Sequence, residues 1–284
     1  MLNPRRLVLK LLLAADRGVL STREAVAAGQ LMGFTENSVR VALARLSSQH
    51  LIEAFGRGAY HLGPAGQSLA ADVKRWRSGE ARVVPWSGHW VAVHTAALSR
   101  SDRSVLRQRE RAFGLLGLRE LQPGLHVRPD NLRGGVAAVR SRLHALGMPA
   151  EALVFGMHEL DDGLRQRAQS LWDGAACSAH YRQQRAQLEQ WMAHAATLAP
   201  DVAAREAFVI GDAAIRTLVF DPLLPEPLVD VAARAAFTDA VLQYDRLGHA
   251  CWQHLLGSQT AASSGRRSSR TRPVFAAESL RSAP

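Results

Sequence analysis

Within residues 21–62 the sequence sets two helix starts, a glycine break and a glycine-flanked hairpin in close succession, and few compact folds accept that order. Ser21 with Glu24 forms a capping box, in which a hydroxyl and a carboxylate satisfy amides left unpaired in a first helical turn. The alanine-rich stretch behind it runs to about Met32, where Gly33 breaks it. Thr35 caps a further helix over 36–49, with Val39, Ala42, Leu43 and Leu46 recurring at helical spacing. After His50, residues 51–55 alternate as a strand, Gly56-Arg57-Gly58 turns, and residues 59–62 return. A helix over 5–15, with Leu7, Leu11 and Leu12 on one face and Gly18 at its end, comes first. The pattern predicts a winged helix-turn-helix.

Such a unit reads DNA when its second helix offers polar side chains to base edges and cations to phosphates. Thr35, Asn37, Ser38 and Arg40 lie on the N-terminal turns of the helix that starts at Thr35. Arg40 can donate bidentately to guanine and Asn37 can pair with adenine. Arg45, a little over one turn later, is placed for the backbone, and Arg57 between two glycines stands at the tip of the wing, beside Tyr60. The plain alternative is a solvated helix face and an ordinary turn arginine.

The charge distribution agrees with a polyanionic partner at one end. Net charge is +10, with Lys and Arg exceeding Asp and Glu by 5 in residues 1–80, by 5 in 81–160 and by 4 in 257–284, while residues 161–256 carry an acidic excess of 4. Lys10 and Lys74 are the only lysines, so coding bias toward arginine accounts for part of the excess. With 47% hydrophobic and 21% charged residues the chain has the composition of a folded protein. Cys177 and Cys251 are its only cysteines, which excludes a disulfide framework and a multi-cysteine zinc site and suits a reducing cytoplasm. The apolar run Leu7 to Ala15 is interrupted by Lys10, too short to span a bilayer and without a cleavage pattern, so neither secretion nor membrane insertion is expected.

Past a helix through Leu69 and Val73, a new unit opens at Trp86-Ser87-Gly88-His89-Trp90. The order read there is a strand at 90–93, a basic helix at about 102–113, strands near 118–121 and 125–127 around Pro123-Gly124, a helix at 133–146 and a strand at 152–155. That is the split βαβ order of ferredoxin-like domains. From 163 to 256 only helical periodicity is visible, broken at Asp221-Pro222-Leu223-Leu224-Pro225, and beyond Gly257 a Ser/Arg/Ala-rich stretch reads as a disordered basic tail. The expected class is multidomain α+β: a winged helix over 1–80, a ferredoxin-like middle domain over 81–160, a helical domain over 161–256 and a tail over 257–284.

Two features leave alternatives open. Trp86 and Trp90 could stack on an aromatic ligand or pack at a domain junction. Arg103, Arg107, Arg111 and Arg128 are candidates by charge for an anionic ligand, or form a solvated or DNA-facing basic side. Enzyme readings have less behind them. The first strand of the middle domain runs from Val93 into His94-Thr95-Ala96 without the acidic residue a metal-dependent nuclease would place there, and the spacing of His249, Cys251 and His254 does not bring all three to one helix face. No nucleophile elbow, phosphate loop or carboxylate pair is visible, so no metal and no cofactor are expected.

The run Gly33 to Leu46, then Gly56-Arg57 with Tyr60-His61-Leu62, resembles the PaaX family of repressors of phenylacetate catabolism. The resemblance continues through residues 86–90, through Leu121 to Pro129 and through Phe220 to Glu226, covering most of 30–256. It implies a homodimeric transcriptional repressor that binds double-stranded DNA at an operator palindrome and is released by phenylacetyl-CoA or a related aryl-CoA or acyl-CoA thioester. After Pro225-Glu226 this chain departs from the family's aromatic-rich stretch, having Leu228 to Ala233 instead. An acyl-CoA-binding enzyme and an RNA-binding module carrying a winged helix are the competing classes.

Overall fold

The computed structural model describes residues 2–15, 18–98 and 101–268, and its class is α+β. The first helix, α1 (Pro4–Ala14), starts on Asn3, whose side chain accepts the Arg6 amide, and takes Pro4 in its first turn, where a missing N–H costs nothing. Its buried face, Leu7, Val8, Leu11 and Leu12, meets Ala25 and Ala28 of α2 (Thr22–Leu31) and Val39, Leu43 and Leu46 of α3 (Glu36–Ser48). Leu20 from β1 (Val19–Ser21) and Ile52 from β2 (Ile52–Ala54) close this small core. With β3 (Ala59–Leu62) the strands form an antiparallel sheet in the order β1-β3-β2. The strand β1 is an addition to the sequence reading: it is three residues long, lies against the Ser21 cap, and finds its partner β3 far along the chain.

The helix-turn-helix angle rests on one glycine. A Cβ at Gly29 would lie 2.3 Å from Val39 Cγ2, so α2 and α3 approach more closely there than any side chain on α2 permits. At the end of α2, Gly33 takes φ +80° and the Phe34 amide turns back to the Gly29 carbonyl at 2.8 Å, which stops the helix and starts the turn.

After α4 (Pro64–Lys74) and two short 3-10 turns over 75–82, the middle unit runs β4 (Trp90–His94), α5 (Arg103–Leu116), β5 (Arg119–Gln122), β6 (Leu125–Pro129), α6 (Gly135–Ala145) and β7 (Leu153–Met157). All pairs are antiparallel, in the order β5-β6-β4-β7. The central strand β4 is apolar at four successive positions because both its faces are covered. Val91 and Val93 pack on α5 and α6, while Trp90 and Ala92 face the C-terminal helices. The Trp90 ring stacks on Trp172 at 6.1 Å and takes the edge of Trp86 at 5.3 Å, whose Nε1 donates to the His89 carbonyl. Both tryptophans are occupied in packing at this junction.

The C-terminal region comprises α7 (Asp162–Gln169), α8 (Gly174–His194), α9 (Pro200–Val219) and α10 (Val231–Ser268). Tyr181, Leu188, Trp191, Phe237, Val241 and Tyr244 hold α8, α9 and α10 together. The last helix corrects the tail boundary, running past Gly257 to Ser268; the remainder, 269–284, lies outside the described residues. A glycine inside a helix costs only about 1 kcal/mol relative to alanine, and the alanines at 261 and 262 favour continuation.

The loop between α9 and α10 fastens the regions together. Its consecutive carbonyls are each taken by a side chain from elsewhere: Pro222 by Arg128 at 3.3 Å, Leu223 by Asn131 at 2.7 Å, and Leu224 by Arg234 at 2.5 Å. Arg128 is thereby corrected as a ligand cation. It is fully buried and spends its remaining donors on Asn131 and on the Leu116 and Pro129 carbonyls. Burial pushes its guanidinium pKa below the usual range, so its charge depends on these acceptors.

Candidate nucleic-acid interface

The helix α3 is anchored on one side and bare on the other. Val39, Ala42, Leu43 and Leu46 are buried, whereas Asn37, Arg40, Val41, Ala44 and Arg45 are exposed. The outward stripe begins on the first turn and continues for over two turns, which suits a helix lying in a groove about 12 Å wide.

Thr35 and Ser38 work on the helix itself. The Thr35 hydroxyl accepts the Ser38 amide at 3.2 Å, and the Ser38 hydroxyl donates to the Thr35 carbonyl at 2.7 Å. This reciprocal pair sets where α3 starts and so which residues follow on its outer face. Arg40 is held one turn back, with Nε 2.8 Å and Nη2 2.7 Å from Glu36 Oε1. Both side chains are more than half exposed, so the pair contributes little stability and can open when a stronger acceptor arrives. Arg45, in the last turn of α3, is exposed and favourably placed at the negative end of the helix dipole.

The hairpin β2–β3 stands beside this helix. Glu53 pairs with His61 and Ala54 with Tyr60, and the Phe55 amide donates to the Ala59 carbonyl at 2.8 Å. Gly56 at φ +64° and Gly58 at φ +74° flank an exposed Arg57, so the tip carries one long cationic side chain between two residues that leave it room. The tip is tethered to α2, because both the amide and the hydroxyl of Thr22 donate to the Gly58 carbonyl, at 2.8 and 3.1 Å. Tyr60 differs from the other candidates. It sits mid-strand opposite Leu20 and Ala54, half-buried against the N-terminal core, and helps hold the hairpin in place.

Three residues on this side escaped the sequence reading. Val41, 41% exposed, and Phe55, 56% exposed, are apolar groups on the same surface as the cations, and Arg23 is exposed on the first turn of α2 next to the tethered Thr22. An outward valine in α3 could have been found by subtracting the buried positions from the helical repeat; methyl groups there suit thymine. What the face offers is donors, methyls and positive charge.

Comparison with known proteins bears on the other end of the chain. Residues 172–254 match the family model of the PaaX-like protein C-terminal domain. Over this segment the chain is similar to that domain, and the match supports membership of the PaaX-like family. The match covers α8, α9 and most of α10, the helices whose connecting loop binds Arg128 and Arg234. Among solved structures, the uncharacterized protein Rv0674 from Mycobacterium tuberculosis is similar at a TM-score of 0.57 with 21% sequence identity, over 88% of this chain and 99% of that one. At that identity the likeness concerns the fold. No curated protein matches the chain. No helix among the described residues is long and apolar enough to cross a membrane.

Proposed function

We propose that this PaaX-like protein is a DNA-binding transcriptional regulator that lays α3 in the major groove and the β2–β3 wing on the adjoining backbone. The observation that carries the reading is the outer face of α3: Asn37, Arg40, Val41 and Arg45 are exposed on a helix whose opposite face is fully buried, next to a hairpin tipped by Arg57. Asn37 and Arg40 read base edges, Thr35 and Ser38 fix the helix start, Arg45 and Arg57 meet phosphates, and Tyr60 supports the wing. The basic excess of residues 1–80 supplies the field that attracts duplex DNA.

In this reading the protein acts as a homodimer, each copy placing α3 on one half of an imperfect palindrome, with half-sites about 10 bp or a multiple of that apart. Its role is repression of an aromatic-acid catabolic operon in the cytoplasm, relieved by an aryl-CoA or related acyl-CoA thioester, as the family resemblance implies. The thioester relieves repression only to the extent that it binds the DNA-incompetent geometry more tightly. The winged helix spans 1–80, the ferredoxin-like domain 81–160 and the helical effector-responsive domain 161–256.

A mobility-shift assay with the duplex upstream of the protein's own gene, run against scrambled duplex and single-stranded RNA of the same length, tests this. The regulator shifts the upstream duplex at a concentration at least tenfold below that needed for the others. Equal affinity for the RNA would favour the RNA-binding module, and turnover of an aryl-CoA thioester would favour an enzyme.

A further inference from the structure

The outer face of α5 carries cations that no neighbouring carboxylate neutralises. Ala112, Phe113 and Leu116 on its inner face are buried in the middle unit, while Arg103, Arg107 and Arg111 are exposed and recur every four residues. At about 1.5 Å of rise per residue they stand about 6 Å apart along one side of the helix. None of the three makes an ion pair or a side-chain hydrogen bond among the described residues. Glu110, the only acidic residue within α5, does not pair with them, and Asp102 is engaged as the N-cap, accepting the Ser104 amide at 2.7 Å and the Val105 amide at 3.4 Å. Several exposed arginines on other helices, by contrast, have a carboxylate in reach: Arg40 pairs with Glu36, Arg165 with Asp162, Arg182 with Asp230 and Arg185 with Glu189.

The stripe works against the helix that bears it. Like charges four residues apart repel, and α5 repeats that arrangement twice, Arg103 with Arg107 and Arg107 with Arg111. Arg103 also opens the helix, where the positive end of the dipole disfavours a cation. A face that meets only water has no need of that cost, and a locally unfavourable choice kept in an otherwise consistent fold marks a surface shaped for a partner. Cations in a row call for anions in a row. Along one strand of a duplex each phosphate rises about 3.4 Å and turns about a tenth of a turn past the last, which separates neighbours by about 7 Å. Arginine side chains set about 6 Å apart match that run.

The end of this stripe lies near the N-terminal unit. Arg111 lines the cavity behind α1, which α9 and α10 close on the other side, together with Arg6, Glu24, Lys74 and Arg77. Glu24 belongs to the first turn of α2, where Arg23 is exposed and Thr22 holds the wing tip at Gly58. The exposed cations Arg57, Arg23, Lys74 and Arg111 therefore stand on elements joined through these contacts, with Arg107 and Arg103 beyond. We propose that Arg103, Arg107 and Arg111 form a second DNA contact, laid along the sugar-phosphate backbone of the duplex that flanks the sequence read by α3. This contact rests on the DNA-binding reading above and adds to it a surface of the middle unit that lengthens the footprint without reading bases.

The full chain is titrated by fluorescence anisotropy with the upstream duplex trimmed to the shortest length that keeps specific binding, and with the same duplex lengthened at each end by one helical turn of random sequence. The wild-type chain is expected to bind the longer duplex about tenfold or more tightly, with a slope of log affinity against log salt steeper by about 2–3, at about 0.9 per phosphate contact. Arg103→Gln/Arg107→Gln/Arg111→Gln removes both differences and leaves the short duplex unaffected, and its circular dichroism melt lies no lower than that of the wild type because the repulsion is gone. Arg165→Gln/Arg182→Gln/Arg185→Gln, an equal change of net charge on the C-terminal helices, keeps the wild-type dependence on length. A folded α5 variant with the wild-type gain on the longer duplex overturns the inference. So does a loss that the C-terminal variant shares, or one seen with single-stranded RNA of the same length and not with duplex. A wild-type chain that binds no duplex removes the DNA-binding reading and this contact with it.

Discussion

Arg234, on α10, donates to both carboxylate oxygens of Glu80, Nε to Oε1 at 2.8 Å and Nη2 to Oε2 at 3.2 Å, tying the last helix to the segment that joins the N-terminal unit to the middle one. The Arg234 side chain has no exposed surface, and its third contact is the Leu224 carbonyl. Removing Glu80 leaves a buried cation without its counter-charge. Glu80→Ala is therefore expected to lower stability by about 3 kcal/mol, the low end for a broken buried pair because Glu80 is itself a third exposed. Pairing it with Arg234→Met should recover most of that loss in urea unfolding, and a double variant no better than the single would show that the pair is not the source.

Gly29→Ala tests the helix-turn-helix packing. On an exposed helix this exchange stabilises by about 1 kcal/mol. Here the added methyl meets Val39 Cγ2, so a loss of about 1–3 kcal/mol is expected, relieved when Val39→Ala is added. Urea unfolding of the two single variants and the double measures the coupling. A gain from Gly29→Ala alone would mean that α2 and α3 are farther apart.

Local signals were legible in the sequence wherever a residue acts on its near neighbours. Ser21, Glu24 and Thr35 announce the starts of α2 and α3, and Gly56 and Gly58 announce the hairpin, because caps and turns are decided within a few residues. The apolar run at Trp90 to Val93 signals a strand, yet not that one face of β4 meets α5 and α6 and the other the C-terminal helices. Nothing in the neighbourhood of Arg128 distinguishes it from the exposed Arg103 and Arg107; its acceptors at Pro222 and Asn131 come from the fold. The strand β1 and the cavity behind α1 were hidden for the same reason. Of the candidate DNA-facing residues, the outward setting of Asn37, Arg40 and Arg45 follows from the helical repeat, while the capping duty of Ser38 and the supporting position of Tyr60 needed coordinates.

Glu36 holds Arg40 in the free protein and carries negative charge toward an approaching phosphate backbone. Glu36→Gln should raise affinity for duplex DNA by roughly 2–5-fold, the range an exposed pair can withhold. Fluorescence anisotropy on specific and scrambled duplexes measures it. A loss confined to the specific duplex would instead give Glu36 a base contact of its own, as acceptor from cytosine.

Arg57 at the wing tip is expected to act through phosphate. Arg57→Ala should weaken binding about equally on all duplex sequences and reduce the slope of log affinity against log salt by about 1. Titrations at several salt concentrations supply the slope. An unchanged slope with altered sequence preference would move Arg57 from phosphate to the base edges of the minor groove.

Base readout by α3 is tested most directly by the specificity ratio of an Asn37→Ala/Arg40→Ala variant, measured by anisotropy on the upstream duplex and on a scrambled one at the same salt concentration. Both side chains are exposed, so the variant should melt with the wild type. If α3 reads bases, the ratio collapses toward one while affinity for scrambled duplex changes little, a loss of about 2–6 kcal/mol across two base contacts of about 1–3 kcal/mol each. A folded variant that keeps the wild-type ratio would contradict the assignment of α3 as the reading helix.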